Sequence, residues 1–177
     1  AIAPLARIIA IAVDPVVNST LLNIGRMISA AAEQSPLIMG FLLGGIMKMI
    51  CTSPLSSMAL TAMLGLDGLA MGIAAIACVG GSFTNGIIFD RLKLGERSNV
   101  IAVMLEPLTQ ADIITQNPIP IYGSNFFGGG LAGLAAAMLG IINNAPGTAS
   151  PIPGLLAPFG FNPPLKVVAA IVLAAIG

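Results

Sequence analysis

Glu106 is a carboxylate reached through the apolar stretch Val100 to Leu105, and Gln110 follows four residues later. Burying an ionisable group at membrane depth costs several kcal/mol unless it is paired or wetted, so a carboxylate in such surroundings marks a functional position by default. Four-residue spacing puts Glu106 and Gln110 on one helical face, although Pro107 between them unsettles that register. Asn117, Asn143, Asn144, Thr148 and Ser150 add neutral donors and acceptors from segments that proline interrupts. A carboxylate accepts hydrogen bonds from hydroxyls, and amide side chains both give and accept them, so this set suits a neutral, hydroxyl-rich solute. A second reading puts Glu106 at an interface and leaves the asparagines to cap helix ends. Asp67, in LGLDG, reads as a turn or cap residue, Asp112 as a cap or a water-facing residue at a hairpin mouth, and Lys48 as a snorkelling residue near an interface.

The elements that must position these groups are almost wholly apolar. Apolar residues make up 56% of the chain and charged residues 8%, with a mean hydropathy of +0.99, where soluble domains carry about 25% charged residues. No charge occurs from Ile113 to Leu165, enough chain for about two bilayer crossings at ~20 residues each. Pro118, Pro120, Pro146, Pro151, Pro153 and Pro158 interrupt that run, and each removes a backbone donor and turns the preceding residue away from helix. Lipid cannot satisfy free amides and carbonyls, so irregular backbone at depth belongs inside protein or along a polar cavity. The expected fold is therefore an all-α polytopic membrane protein whose transmembrane helices are accompanied by broken helices and re-entrant hairpins.

Seven basic and seven acidic residues cancel, which removes the electrostatic case for nucleic acid or a polybasic lipid contact. Histidine is absent and cysteine is limited to Cys51 and Cys78, so neither a metal site nor a cofactor is expected; the two thiols read as small hydrophobes and the methionines as packing residues.

Along the chain, Ala1 to Val17 reads as a partial helix ending at Asp14-Pro15, and Asn18 to Gln34 as an amphipathic linker helix. Residues 35–177 read as a transport-type domain. Pro36 to Ile50 and the short Pro54 to Leu66 form a discontinuous pair with Cys51-Thr52-Ser53-Pro54 at the break. Gly68 to Phe89 is a full span, Val100 to Gln116 a re-entrant hairpin with Glu106-Pro107 near its tip, and Tyr122 to Ile142 another span with Gly129, Gly133 and Ala137 on one face. Asn143 to Phe161 is a second re-entrant loop, and Pro163 to Gly177 a helix too short to cross. A start at Ala1 without methionine and an apolar end at Gly177 suggest a fragment, a processed product or part of a longer protein.

The stretch SPLIMGFLLGGIMKMICTSPLSSMALTAMLGLDGLAMGIAAIACVGGSF, from Ser35 to Phe83, resembles the second half of the membrane-embedded enzyme IIC (EIIC) components of the bacterial sugar phosphotransferase system, and is similar to their stand-alone IIC-like subgroup. Gln110, Asn117-Pro118, the following glycine-rich span and GTASPIPG extend the resemblance to Gly160. It implies a homodimeric permease in the bacterial cytoplasmic membrane, with two hairpins and a broken helix around a sugar site and a glutamate binding sugar hydroxyls. Glu106 is the matching position, in a context that departs from the sugar permeases' usual glycine-x-threonine/histidine-glutamate. The family presents its substrate to a phosphorylated cysteine on a IIB partner. No residue of this chain carries a phosphoryl group in that way, so any such relay needs a separate IIB-type phosphocarrier.

Three functions remain in view: a permease for a small polar solute such as a sugar, the membrane subunit of a group-translocating sugar phosphotransferase, and a membrane sensor or scaffold using the same pocket. Orientation follows from Arg91, Lys93 and Arg97, the densest basic group in the chain, which place the Asp90 to Asn99 loop on the cytoplasmic side. A cysteine introduced at Ser98, in a background lacking Cys51 and Cys78, should be labelled by an impermeant thiol reagent only from the cytoplasmic face; labelling only from outside reverses the orientation.

Overall fold

A computed structural model describes the backbone of residues 2–177 and the side chains of Arg7 and residues 14–177. It is 81% helical, with no strand among the described residues. In chain order the elements are α1 (Ile2–Gln34), α2 (Pro36–Thr52), α3 (Ser57–Met63), α4 (Gly68–Arg91), α5 (Arg97–Leu105), a 3-10 turn (Pro107–Gln110), α6 (Ala111–Gln116), α7 (Pro118–Met138), α8 (Pro151–Leu156), a second 3-10 turn (Ala157–Gly160) and α9 (Pro164–Ile176).

The break expected at Asp14-Pro15 does not form, and α1 runs through Pro15 to Gln34 as one helix. A proline inside a helix forfeits one hydrogen bond and crowds the preceding turn, which a long helix can absorb. What ends α1 is Ser35, with φ −138° before Pro36, and Pro36 then opens α2, where its fixed φ and missing donor fit the first helical turn. Leu21 and Ile28 of α1 pack on the core around buried Ala32, while Leu22, Ile24 and Met27 are exposed.

α4 is the central element, buried along most of its length, with α2, α5, α7, α8 and α9 packed around it. Its sequence, GLAMGIAAIACVGG, is mostly glycine and alanine, which lets neighbouring backbones come close. A Cβ at Gly80 would lie 2.9 Å from the Ala174 carbonyl oxygen of α9, and one at Gly72 would collide with the Ile141 carbonyl. Among the described residues α4 is also the one helix both long and apolar enough to cross a bilayer. α7, expected as a second full span from Tyr122, starts earlier at Pro118 and meets the length; its glycines, Ser124 and Asn125 keep its hydropathy lower, and of these Asn125, Gly128, Gly129, Gly130 and Gly133 are buried against protein.

α2 and α7 run antiparallel in the tightest contact of the fold. Gly40 of α2 faces Gly133 and Ala137, and Gly44 faces Gly129 and Gly133; a Cβ on Gly44 would stand 2.9 Å from the Gly133 Cα. The face expected for Gly129, Gly133 and Ala137 is thus the one that receives α2. Chain reversal between α3 and α4 uses Gly65 and Gly68, with φ of +58° and +54°, a left-handed backbone that glycine adopts without strain.

The α2–α7 contact makes a direct prediction. Gly133→Ala should lower stability by about 1–3 kcal/mol, because its Cβ would press on Gly40 and Gly44. Gly123→Ala, in the same helix with open space around it, should be neutral or stabilising by about 0.5–1 kcal/mol. Thermal unfolding of the purified variants compares the two; equal effects would mean that α2 and α7 do not meet at these glycines.

Candidate functional site

Three interruptions of helix meet at one cleft. α2 ends at Thr52, and α3 begins after Ser56, whose hydroxyl accepts the Ala59 amide at 3.1 Å. The second interruption is at Glu106, where extended backbone (φ −150°, ψ 99°) separates α5 from the 3-10 turn opened by Pro107. The third is the start of α8 at Ser150. Cys51, Ser56, Ser57, Glu106 and Ser150 line a cleft of about 130 Å³ between these breaks. Its floor is tied by the buried Ser57 hydroxyl, which donates to the Ala149 carbonyl at 2.6 Å. Glu106 is exposed, and its carboxylate accepts the Leu108 amide at a long 3.5 Å, which leaves most of its accepting capacity free for stronger donors.

Of the residues singled out from the sequence, Glu106 and Ser150 share this cleft; the others hold the surrounding chain. Gln110 accepts a 2.7 Å hydrogen bond from Asn99 and donates back to Thr109, so it secures the 3-10 turn to α5. Asn117 donates to the Ile113 carbonyl at 3.1 Å across the α6–α7 junction. Asn143 is buried and donates to Thr148, which donates to the Ala145 carbonyl, so both knit the 143–148 loop. Asn144 accepts the Gly68 amide at 3.0 Å and fastens the same loop to the start of α4. Asp67 occupies the cap position of α4 without a side-chain hydrogen bond, and Asp112 lies exposed in the first turn of α6. Cys51, Ser56 and Ser57 were not selected from the sequence: the break was expected over Cys51 to Pro54, with a helix from Pro54, whereas α3 starts only at Ser57, and the longer break faces the one at Glu106 across the cleft.

Lys48 corrects its own expectation. Far from snorkelling to an interface, it is 0% exposed, and its ammonium finds no hydrogen-bond partner among the described residues. The stem threads a slot between Gly81 of α4 and Gly129 of α7: a Cβ on Gly81 would strike Cγ, Cδ and Cε of Lys48, and one on Gly129 would strike its Cβ. One turn along each helix from that slot lie Thr52, Asn85 and Asn125. Asn85 donates to Thr52 at 3.3 Å, and Asn125 donates to Asn85 at 2.6 Å and to the Ile121 carbonyl at 2.8 Å. The Asn125 Oδ1 oxygen, also buried, has no partner among the described residues. Leaving a buried charge uncompensated costs several kcal/mol. The sequence signal was present as three pairs spaced by one turn, Lys48 with Thr52, Gly81 with Asn85, and Asn125 with Gly129, each inside an apolar helix.

The larger cavities carry less chemistry. One of about 540 Å³ beside the α4–α5 loop is rimmed by Asp90, Lys93, Glu96 and Arg97, charges of a solvated connection. Another of about 280 Å³ is lined only by apolar side chains of α1, α2 and the α3–α4 region. No group of three or more Cys, Asp or Glu gathers where a metal could be held among the described residues.

The family model described as "Phosphotransferase system, EIIC" matches residues 1–177. Neither a curated protein nor a solved structure matches the chain. EIIC domains are integral components of the bacterial inner membrane and serve as permease components of the phosphotransferase system. With all 177 residues inside the family match, the chain belongs to the phosphotransferase-system EIIC family.

Proposed function

We propose that this EIIC-family chain binds and translocates a small polar solute, such as a sugar, at the cleft where the three helix breaks meet. The single observation behind this reading is that Glu106, Ser56, Ser57 and Ser150, polar residues from three separate interruptions, converge on one cleft. Discontinuous helices supply polar groups at depth without an unsatisfied backbone facing lipid, which is how transporter sites are commonly built. A carboxylate with free accepting capacity, flanked by hydroxyls that give and accept, matches the donors and acceptors of a polyol.

The cleft, at about 130 Å³, is smaller than the ~300–1,000 Å³ of typical small-molecule sites. Admission of a whole solute therefore requires the α3 turn, the Glu106 turn and the α8 start to part, which breaks the Ser57–Ala149 hydrogen bond that ties two of them together. Passage follows by rocking these segments against a scaffold, with a second copy of the chain completing a homodimer in the lipid bilayer. Where transport is coupled to phosphorylation, the phosphoryl group comes from a IIB-type phosphocarrier, as is general for the family.

Glu106→Gln tests the cleft, because it keeps the shape and removes the charge. A charge-assisted hydrogen bond worth about 1.5–3 kcal/mol becomes a neutral one worth about 1. Affinity for a sugar found by a thermal-shift screen of the purified protein should fall about ten-fold, with expression and oligomeric state unchanged. Equal affinities, or a variant that does not fold, would assign Glu106 a structural role.

A further inference from the structure

We propose that the solute carries an oxyanion, carboxylate or phosphate, alongside its hydroxyls, and that Lys48 is the cation that receives it. The inference rests on the solute cleft described above and names the class of solute it takes.

Lys48 is the one fully buried charge among the described residues, and its ammonium is unpartnered. The neighbours that shape its slot are glycine, and the polar residues one turn away, Thr52, Asn85 and Asn125, are all neutral. No carboxylate is hydrogen-bonded or ion-paired to it; the one ion pair among the described residues is the exposed Lys93–Asp90 contact at 3.7 Å. The slot is nevertheless built for a lysine, since both glycines that form it admit its stem only because they lack a Cβ. A fold that makes room for a cation at its centre and gives it no hydrogen-bonded or ion-paired anion has a place for one from outside.

The remaining polar atoms describe the rest of that ligand. The unpartnered Asn125 Oδ1 is an acceptor and needs a donor, which a hydroxyl supplies and an anionic oxygen does not. Gly81 and Gly129, which touch the Lys48 stem, each stand four residues from Asn85 and Asn125, about one helical turn or ~5.4 Å of axial separation. A molecule carrying both an oxyanion and a hydroxyl answers the unpartnered ammonium and the unpartnered acceptor together. Access comes from the cleft: Cys51 lines it, and Lys48 lies three residues earlier on α2, on the same side of the helix. Parting of the broken segments at Cys51 therefore uncovers Lys48 next, and the solute's hydroxyls remain within reach of Glu106 while its anionic end goes deeper.

A matched set of probes isolates the charge: glucitol, gluconate, which carries a carboxylate in place of one terminal carbinol, and glucitol 6-phosphate. Binding to the purified wild-type protein by calorimetry should be about ten-fold or more tighter for at least one anionic probe than for glucitol, and which one identifies the oxyanion. Lys48→Met should bring that probe down to the level of glucitol. Because methionine fits the slot and leaves no buried charge, this variant should unfold at a temperature no lower than the wild type without added probe. Equal binding of all three by the wild type, no binding of either anion, a preference that survives Lys48→Met, or marked destabilisation by it would overturn the proposal; the last would mean that Lys48 is held by internal water as part of the core. Should Lys48→Met not fold, Asn125→Asp sets an internal carboxylate in the same layer and should likewise erase the preference; a preference that persists, or failure of both variants to fold, counts against it. Glu106→Gln separates the two readings, since it should weaken all three probes together. If it weakens none while Lys48→Met still abolishes the preference, the anion site stands and the Glu106 cleft does not.

Discussion

Close approach of three backbones, permitted by residues without bulk, is the constraint on which the other features depend. Gly40 and Gly44 of α2 interlock with Gly129 and Gly133 of α7, and the glycine- and alanine-rich α4 lies against both. Between helices in an apolar solvent there is little hydrophobic gain, so association relies on van der Waals contact and polar links. Small residues supply that contact by letting main chain meet main chain. The same closeness fixes the lysine slot, since Gly81 and Gly129 line it from opposite helices, and it fixes the ends of α2 and α4 relative to the loops that follow.

Against that tight core stands a polar layer that lowers stability. Thr52, Asn85 and Asn125 satisfy one another in sequence, a chain of three side chains on three helices, and a fully satisfied layer of this kind specifies register. The layer is incomplete at Lys48 and at one oxygen of Asn125. A core chosen for stability alone would be better served by an apolar residue at position 48, since replacing buried charge by apolar side chains is often neutral or stabilising. The unsatisfied pair is therefore better understood as part of a site than as part of the scaffold.

The periphery is organised differently. The 141–150 segment has no regular structure, yet its backbone and side chains are pinned: Asn143 and Asn144 exchange hydrogen bonds with Gly68, and Asn162 both donates to and accepts from Ile142. Lys166 donates to the Gly140 carbonyl at 3.0 Å and closes the end of α7 against α9. These bonds provide within the protein what lipid withholds from irregular backbone, and they hold Ser150 opposite the α3 and Glu106 breaks. Membership of the EIIC family gives the arrangement its context in a membrane permease system.

Sequence alone determined the helical class, the family and the places where helices stop, because proline, glycine and asparagine act on their own few residues of backbone and apolar runs on their own segment. The turn at Gly65 to Gly68, the break at Glu106-Pro107 and the glycine face of α7 were legible in this way. Pro15 was misjudged because a local penalty was weighed without the long helix that absorbs it. Which polar residues meet is a long-range matter, and only the tertiary structure decided it. Glu106 and Ser150 share a cleft with Cys51, Ser56 and Ser57, whereas Gln110, Asn117, Asn143, Asn144 and Thr148, of the same chemistry, are spent on local hydrogen bonds. Lys48 shows the limit most clearly: near the end of an apolar helix its composition-based reading is a snorkelling cation, and only the two glycines that α4 and α7 bring beside it turn that position into the interior. Side-chain type is written in the chain, but the partner of each polar atom depends on how helices far apart in sequence pack.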